Sequence, residues 1–315
     1  MNGKLTLRPP STVAIITNNT CNLTCNNCGT LQNYNFNDVS NWAQNEKYIR
    51  KWAEIAHFDD IDLLGGEPFL NPELYTWAKN VKGLFPNTTV KVSTNGTLLN
   101  LDKNIFLSRK IVDLGVAIIV STHTAEDYEL HREWIHKIAE PFINDLKIER
   151  IFTPSEDIIH DTVQEIYKWK DSGALVFSHV LVDRMYPNYI LEVKDNTVIL
   201  DDGDPIKSHE KCIFNVNCMA IQEGLFYKCP SVTNYAIMKN LVNYEDRAYP
   251  ILDSYKACSP FQPIEEIKEF FESLYEPIDA CRLCAFDKKI NPTTMERPVT
   301  FDKSYKKAFK GATKL

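Results

Sequence analysis

Short apolar runs rich in β-branched residues alternate with helical patterns through the first 185 residues, and this alternation restricts the fold more than any other feature. The runs predict six strands, at Val13–Ile16, Ile61–Leu64, Val90–Ser93, Val116–Ser121, Leu146–Phe152 and Leu175–Val182. Between them, apolar residues at the 3.6-residue period predict helices at Trp42–Ala56, Leu74–Phe85, Phe106–Leu114, Arg132–Phe142 and Thr162–Lys170. Alternating strands and helices form parallel sheets. Because six units are fewer than the eight of a closed barrel, we expect an α/β fold with a partial (β/α)6 TIM-like barrel.

The pattern changes after residue 185, which divides the chain into an expected core, residues 1–185, and an extension, residues 186–315. Shorter runs in the extension predict strands at Tyr189–Val193, Val198–Leu200, Met219–Ile221 and Leu225–Tyr227, and a helix at Glu265–Leu274. The residues Gln222-Glu223-Gly224 predict a hairpin loop. Six of the nine cysteines lie here, so we expect a small C-terminal α+β extension that is rich in cysteine.

Charge and hydropathy exclude several classes of partner. The formal net charge is −7, so no broad basic surface for nucleic acid is expected. The N-terminus has no signal peptide, and no apolar run reaches the roughly 18–20 residues of a membrane span. We therefore expect a cytoplasmic protein without a membrane partner. In that reducing compartment, closely spaced cysteines indicate metal ligands or catalytic groups rather than disulfides.

Three cysteines follow the first predicted strand with the spacing C-x3-C-x2-C, at Cys21, Cys25 and Cys28. Such a loop can wrap three thiolates around one metal centre. A [4Fe–4S] cube usually takes four cysteines, so three would leave one iron open. An open coordination position is what a catalytic metal needs. A structural zinc loop is the alternative, and it would need a fourth ligand.

This loop resembles the cysteine motif of the radical S-adenosylmethionine (SAM) superfamily. The resemblance implies a partial-barrel radical SAM core in which the three cysteines bind a [4Fe–4S] cluster and SAM chelates the open iron. It also implies that one electron cleaves SAM to a 5′-deoxyadenosyl radical, which abstracts a hydrogen from the substrate. A flavodoxin or ferredoxin is the reductant that the family implies.

Polar residues at the carboxyl ends of the next strands fit this resemblance. Gly65, Gly66 and Glu67, with Pro68, resemble the GGEP motif that binds the SAM amino group. Further residues resemble the positions that hold the SAM ribose and carboxylate, at Ser93, Asn95 and Ser121. Each could instead cap a helix or form a turn. Three more side chains near strand ends are candidates for substrate contacts, at His123, Arg150 and His179.

The extension carries a second set of cysteines. The pair Cys281 and Cys284 is a C-x2-C chelate, and Cys212, Gly224 and Cys229 form a C-x11-G-x4-C pattern. The pattern resembles the SPASM/Twitch extension of radical SAM enzymes, which implies an auxiliary [4Fe–4S] cluster bound by Cys212, Cys229, Cys281 and Cys284. Cys218 is the alternative to Cys212, and a structural zinc site is the alternative to the cluster.

Cys258 is left outside both sets. A free cysteine is commonly a buried small hydrophobe. The alternative is a thiol that returns a hydrogen atom to a substrate radical, as epimerase-type members of the family use.

The resulting hypothesis is a radical SAM enzyme that acts on a small molecule, such as a sugar, or on a peptide. Dehydrogenation, epimerisation and bond formation are all compatible with the sequence. Dehydrogenation would use the auxiliary cluster to take the second electron. The competing hypothesis is a zinc-stabilised binding protein without catalysis.

Overall fold

The computed structural model describes residues 4–6, 12–23, 39–122, 125–153, 162–169, 175–182, 190–194, 197–212, 219–233 and 243–284. Strands of the first half are β1 (Leu5–Thr6), β2 (Thr12–Asn18), β3 (Ala56–His57), β4 (Asp60–Gly65), β5 (Thr89–Thr94), β6 (Ala117–Thr122) and β7 (Leu146–Thr153). Strands of the second half are β8 (Thr162–Trp169), β9 (Leu175–Val182), β10 (Ile190–Lys194), β11 (Thr197–Leu200), β12 (Met219–Gln222), β13 (Leu225–Tyr227) and β14 (Asn243–Tyr244). The helices are α1 (Trp42–Ile55), α2 (Leu74–Leu84), α3 (Asp102–Asp113), α4 (Ala125–Ala139), α5 (Pro205–Glu210), α6 (Ala248–Ser254) and α7 (Ile264–Ser273). Short 3-10 helices span Pro68–Leu70, Glu140–Asp145 and Asp279–Leu283.

A nine-stranded sheet in the order β13-β12-β2-β4-β5-β6-β9-β8-β7 forms the centre of the molecule. The six neighbours from β12 to β9 run parallel to one another. This confirms the expected α/β fold with a mostly parallel, partial TIM-like sheet. Parallel strands place their carboxyl ends at one edge, where ligands of such folds bind.

Helices cover one face of the sheet, and the largest hydrophobic core lies between these helices and the sheet. Alternate residues of β2 and β4 point into this core, namely Val13 and Ile15 of β2 and Ile61 and Leu63 of β4. Trp52 of α1 is fully buried there. The opposite face, termed the inner face, carries a small apolar cluster of Ala14, Ile16 and Ala220 with Leu64 packed against it.

The predicted helix Thr162–Lys170 is wrong, because this segment forms strand β8. β8 pairs antiparallel with β7 and with β9, so the chain turns back twice instead of crossing over through a helix. Glu165 and Tyr167 are buried, whereas Ile166 and Lys168, which alternate with them, are partly exposed, and this is the two-residue period of a strand. The buried Glu165 accepts from Nε of Arg132 at 2.9 Å and from the hydroxyl of Tyr167 at 3.2 Å.

Strand β12 joins the parallel sheet beside β2, with Met219 opposite Val13 and Ile221 opposite Ile15. β12 and β13 form the expected hairpin, whose turn residues Glu223 and Gly224 both have positive φ, 51° and 77°. Two positive φ values are typical of a type I′ turn. Part of the predicted extension therefore belongs to the same sheet as the core, and the division at residue 185 stays a prediction.

A three-stranded sheet of β10, β11 and β14 and a short pairing of β1 with β3 complete the described strands. No helix in the described part of the chain combines the length and the apolar character that a membrane span requires.

The hairpin turn yields a stability prediction. A Cβ on Gly224 would overlap the ring of Tyr48, and the residue has φ +77°. We expect Gly224→Ala to lower the free energy of unfolding by about 1–3 kcal/mol. The matched control is Gly83→Ala near the end of α2, where nothing lies within 4 Å of the added methyl group. It should raise stability by about 0.5–1 kcal/mol. Thermal or chemical unfolding of both variants measures this, and equal effects would contradict the steric explanation.

Candidate active site

The carboxyl ends of β2, β4 and β5 meet around the loop that carries Cys21. The backbone N–H of Gly66 donates to the carbonyl of Asn18 at 2.9 Å, and the N–H of Glu67 donates to the carbonyl of Thr20 at 2.8 Å. These two bonds fasten the segment before Cys21 to the end of β4. The cysteine loop and the GGEP residues therefore form one unit.

The two glycines of this motif are required by a close approach of backbone to backbone. A Cβ on Gly65 would overlap the carbonyl of Asn18, and a Cβ on Gly66 would overlap the carbonyl of Thr20. The space that the glycines leave is filled by the segment leading to Cys21. The structure thus explains the paired glycines by the close approach of the segment from Asn18 to Cys21. Their contact with SAM stays a prediction.

The carboxylate of Glu67 is fully buried and holds the end of β5. Its Oε1 accepts from Oγ1 of Thr94 at 2.7 Å and from the N–H of Phe69 at 3.1 Å, and its Oε2 accepts from the N–H of Asn95 at 2.8 Å. Burial raises the pKa of Glu67 to about 7, against the three hydrogen bonds that favour its charged form. A direct contact between this carboxylate and the SAM amino group stays a prediction.

Asn95 contacts the cysteine loop itself. Its Nδ2 donates to Oδ1 of Asn22 at 3.0 Å and lies 3.8 Å from Sγ of Cys21. The same sulfur accepts the N–H of Leu23 at 3.5 Å. A sulfur surrounded by N–H donors is in a suitable environment for a thiolate that binds iron.

The other predicted site residues are placed unevenly. Cys25, Cys28, His123 and Cys218 lie outside the described residues. Arg150 and His179 fall in β7 and β9, as expected from the sequence. Ser121 is partly exposed between the buried Val120 and Thr122 of β6. The assignment of Cys21, Cys25 and Cys28 as ligands stays a prediction.

On the inner face the predicted Ser93 lies beside polar residues that sequence reasoning did not select. Ser93 donates to Oδ2 of Asp62 at 2.7 Å, and Nζ of Lys91 lies 3.9 Å from Oδ1 of Asp60. Oδ1 of Asp62 is buried and has no hydrogen-bond partner among the described residues. Burial raises the pKa of Asp62, although Ser93 opposes this. The signal in the sequence was the alternation of Asp60 and Asp62 with buried residues of the same strand.

Three segments carry the second set of cysteines. Cys212 follows α5, Cys229 follows β13, and Cys281 and Cys284 lie in and after the 3-10 helix at Asp279–Leu283. Burial raises the pKa of the Cys229 thiol to about 12, and the nearby Cys212 and Cys281 add to this. Burial also raises the pKa of the Cys284 thiol, and the other three cysteines raise it further. Cys284 therefore lies near the other three cysteines of this set.

Charged side chains fix the segments that carry these cysteines. Oδ1 of Asp202 lies 2.7 Å from Nη2 of Arg282 and 3.7 Å from Nη1 of Arg247. The N–H of Gly203 donates to the carbonyl of Arg282 at 2.9 Å. These contacts tie the segment before Cys212 to the turn between Cys281 and Cys284.

Within the described residues, no group of three or more His, Cys, Asp or Glu side chains is arranged to hold a single metal ion. The auxiliary cluster and its alternative, a structural zinc site, therefore both stay predictions for the second set of cysteines.

Cys258 lies in the hydrophobic core, only 2% exposed. It forms an isolated β-bridge with Phe226, and burial raises the pKa of its thiol to about 12. This core is on the helix side of the sheet, away from the inner face. The hydrogen-donor role of Cys258 stays a prediction that this position does not favour.

Comparison with known proteins identifies the domain that carries the first set of cysteines. The family model of the Radical SAM superfamily matches residues 15–143, from β2 through α4. Residues 15–143 thus match a radical SAM domain. It is also 26% identical over 151 residues to the FeMo cofactor biosynthesis protein NifB of Methanocaldococcus jannaschii, which covers 47% of each chain. The chain thus spans about half the length of the curated relative that it matches.

Two solved structures are similar over most of the chain. BtrN in complex with AdoMet and 2-DOIA is 14% identical, with a TM-score of 0.44 over 92% of this chain and 97% of BtrN. Streptococcus suis SuiB bound to S-adenosylmethionine is 12% identical, with a TM-score of 0.38 over 86% of this chain and 67% of SuiB. Because TM-scores below 0.5 do not establish a common fold, the assignment comes from the match to residues 15–143.

A radical SAM domain implies a [4Fe–4S] cluster and SAM as cofactors. The described residues fit this pair, because the soft sulfur of Cys21 stands at the carboxyl edge of the sheet with N–H groups directed at it. The radical SAM superfamily consists of enzymes, so the domain also supports an enzymatic function.

The buried carboxyl of Glu67 yields a pH prediction. Its folded-state pKa of about 7 lies above the ordinary 4.5, so the folded protein binds the proton more tightly than the unfolded chain. Stability is therefore lost as the pH rises from 4.5 to 7, by about 3 kcal/mol at about 1.4 kcal/mol for each pKa unit. Glu67→Gln removes this dependence.

Unfolding of the wild type and of Glu67→Gln between pH 4.5 and 7.5 measures the effect. As the pH rises through this range, the unfolding free energy of the wild type should fall relative to that of Glu67→Gln. Glu54→Gln, at an exposed position of α1, is the control and should run parallel to the wild type. A difference that is constant across this range would contradict the assignment.

Proposed function

We propose that this protein is a radical SAM enzyme that binds its cluster through Cys21, Cys25 and Cys28 and acts on a small polar molecule. When bound, the cluster and SAM supply the radical that removes a hydrogen atom from the substrate. The observation that carries the proposal is the joining of the Cys21 loop to the ends of β4 and β5, through Gly66 and Glu67. The cluster loop and the SAM-binding motif of the family thereby share one edge of the sheet.

The protein's own residues have two tasks in this proposal. Glu67 holds the ends of β4 and β5 together. Ser93, Asn95 and Ser121 would hold the SAM ribose and carboxylate, as the matching positions do in the family. An external reductant, a flavodoxin or ferredoxin in the cytoplasm as the family implies, would supply the electron that cleaves SAM.

The polar residues of the inner face support a polar substrate. Asp62 presents a buried carboxylate oxygen without a partner, and such an oxygen is stabilised by a hydroxyl or ammonium donor. Asp60 and Lys91 add charged groups on the same face. A small molecule that bears hydroxyl or amino groups, such as a sugar, matches this surface better than an apolar compound.

The second set of cysteines supports an auxiliary [4Fe–4S] cluster on Cys212, Cys229, Cys281 and Cys284. Four thiolates would leave no open iron, which favours electron transfer over substrate binding. The strand register supports this role. β13 runs back toward the amino end of β12, so Cys229 lies near the edge opposite Cys21. Of the possible reactions, dehydrogenation is the one that would use an auxiliary cluster in this position to accept the second electron.

Loss of a single cluster ligand tests the catalytic proposal. The anaerobic wild type should be brown and should form 5′-deoxyadenosine from SAM with dithionite. Cys25→Ala should lower this product by more than about 100-fold, because the cluster that SAM chelates is lost. The product is measured by chromatography and mass spectrometry against the iron content of each sample.

The same assay with deuterated polar small molecules identifies the substrate class, because deuterium then appears in 5′-deoxyadenosine. Label from a peptide instead would overturn the small-molecule part of the proposal alone. A colourless, air-stable protein that contains zinc and ignores SAM would overturn the enzymatic proposal.

Removal of an auxiliary ligand tests the second cluster. Cys284→Ala should lose roughly half of the iron and sulfide while the SAM-binding cluster remains. Iron and sulfide analysis with electron paramagnetic resonance (EPR) measures both. Cys258→Ala is the matched control, since this thiol lies in the core away from the second set, and its iron content should equal that of the wild type. Zinc in the wild type at this site would contradict the assignment.

A further inference from the structure

We propose that Asn22, Asn95 and Thr97 form an amide clamp that holds an N–H on Sγ of Cys21 and raises the reduction potential of the cluster bound there. The inference rests on the proposed function, because it takes Cys21 as a cluster ligand. It assigns these three residues a role beyond SAM binding. They are positioning residues that act on the cluster through the sulfur of Cys21.

The hydrogen bonds of the clamp fix the orientation of the Asn95 amide. Oδ1 of Asn95 accepts the N–H of Thr97 at 3.0 Å, and a backbone N–H can only donate. The opposite atom of the amide is therefore the donor Nδ2, which lies 3.0 Å from Oδ1 of Asn22 and 3.8 Å from Sγ of Cys21. The N–H group thus points to the sulfur without ambiguity.

The three side chains close a ring in which every donor meets an acceptor. Asn22 accepts from Asn95 through Oδ1 and donates through Nδ2 to Oγ1 of Thr97 at 2.7 Å. Oγ1 of Thr97 in turn donates to Oδ1 of Asn95 at 2.6 Å. Because a rotation of any one side chain breaks two bonds, the ring keeps the amide in place.

Backbone contacts hold the ring between the two strands that it joins. The N–H of Asn95 is bound to the buried carboxylate of Glu67 at 2.8 Å. Asn22 directly follows Cys21, and the carbonyl of Thr20, just before Cys21, accepts from the N–H of Glu67. The distance from the amide to the sulfur is therefore set by the strand ends rather than by a free side chain.

An N–H directed at a ligating sulfur changes the electron affinity of a cluster. Reduction by one electron adds negative charge that is spread over the sulfurs, and a hydrogen-bond donor stabilises that charge more in the reduced state. Removal of the donor should therefore lower the midpoint potential. It should also leave the cluster harder for a given reductant to reduce.

The test is an anaerobic redox titration of the cluster-loaded full-length protein, monitored by EPR. The signal that changes on addition of SAM identifies the cluster at Cys21. Asn95→Ala should lower the ratio of reduced to oxidised cluster at a fixed potential roughly tenfold, which is 59 mV for a one-electron couple. Thr97→Val should shift the midpoint in the same direction, and Thr97→Ser, which keeps the hydroxyl, should restore it.

Asn100→Ala, at an exposed position of the same turn, is the matched control and should leave the midpoint unchanged. A loaded Asn95→Ala protein with an unshifted midpoint would overturn the clamp and leave the proposed function intact. Equal midpoints in Thr97→Val and Thr97→Ser would also overturn the clamp. This pair of variants provides the test if Asn95→Ala takes up no cluster. A wild type without a SAM-responsive signal would overturn the proposed function, and the clamp with it.

Discussion

Two backbone hydrogen bonds determine the geometry of the candidate active site. They join Gly66 to Asn18 and Glu67 to Thr20, and they form only because the paired glycines have no Cβ in the space that the cysteine loop fills. Glu67, whose N–H makes the second of these bonds, also binds the end of β5 through its carboxylate. The end of β5 is thereby held beside the loop, and the Asn95 amide reaches Cys21 there.

The pattern of residues in the sequence predicted those elements of the fold whose secondary structure is determined by residues close to one another in the chain. β2, β4, β5 and β6 are short, β-branched and bounded by turn residues, so their strand character is local. The prediction of a helix at Thr162–Lys170 is wrong because the segment was interpreted as a crossover between two parallel strands. Its actual partners are β7 and β9 in an antiparallel arrangement, and its buried Glu165 is stabilised by Arg132 from α4. Neither partner is visible in the segment itself.

The candidate site divides in the same way. The cysteine spacing and the GGEP residues are contiguous motifs, so a sequence can show them and can suggest which cofactor they bind. The contacts of Ser93 with Asp62 and of Asn95 with Asn22 join residues 31 and 73 positions apart. They exist because strand register brings these residues together, and a single sequence carries no information on register across such distances. For this reason Asp62, Asn22, Thr97 and the contact of Asn95 with Cys21 emerge only from the structure.

The position of β12 connects the two sets of cysteines. β12 lies beside β2, so the strand that leads to Cys21 and the hairpin that leads to Cys229 are neighbours in one sheet. From Val13, opposite Met219, to Asn18 is five residues, or about 16 Å at 3.3 Å per residue. The polar residues of the inner face occupy the strands next to this span. In the proposed reaction, a substrate held by Asp62 would thus lie between the edge of Cys21, where the proposed radical would form, and the edge of Cys229, where the proposed auxiliary cluster would accept an electron. This order is what the dehydrogenation proposal requires of the sheet.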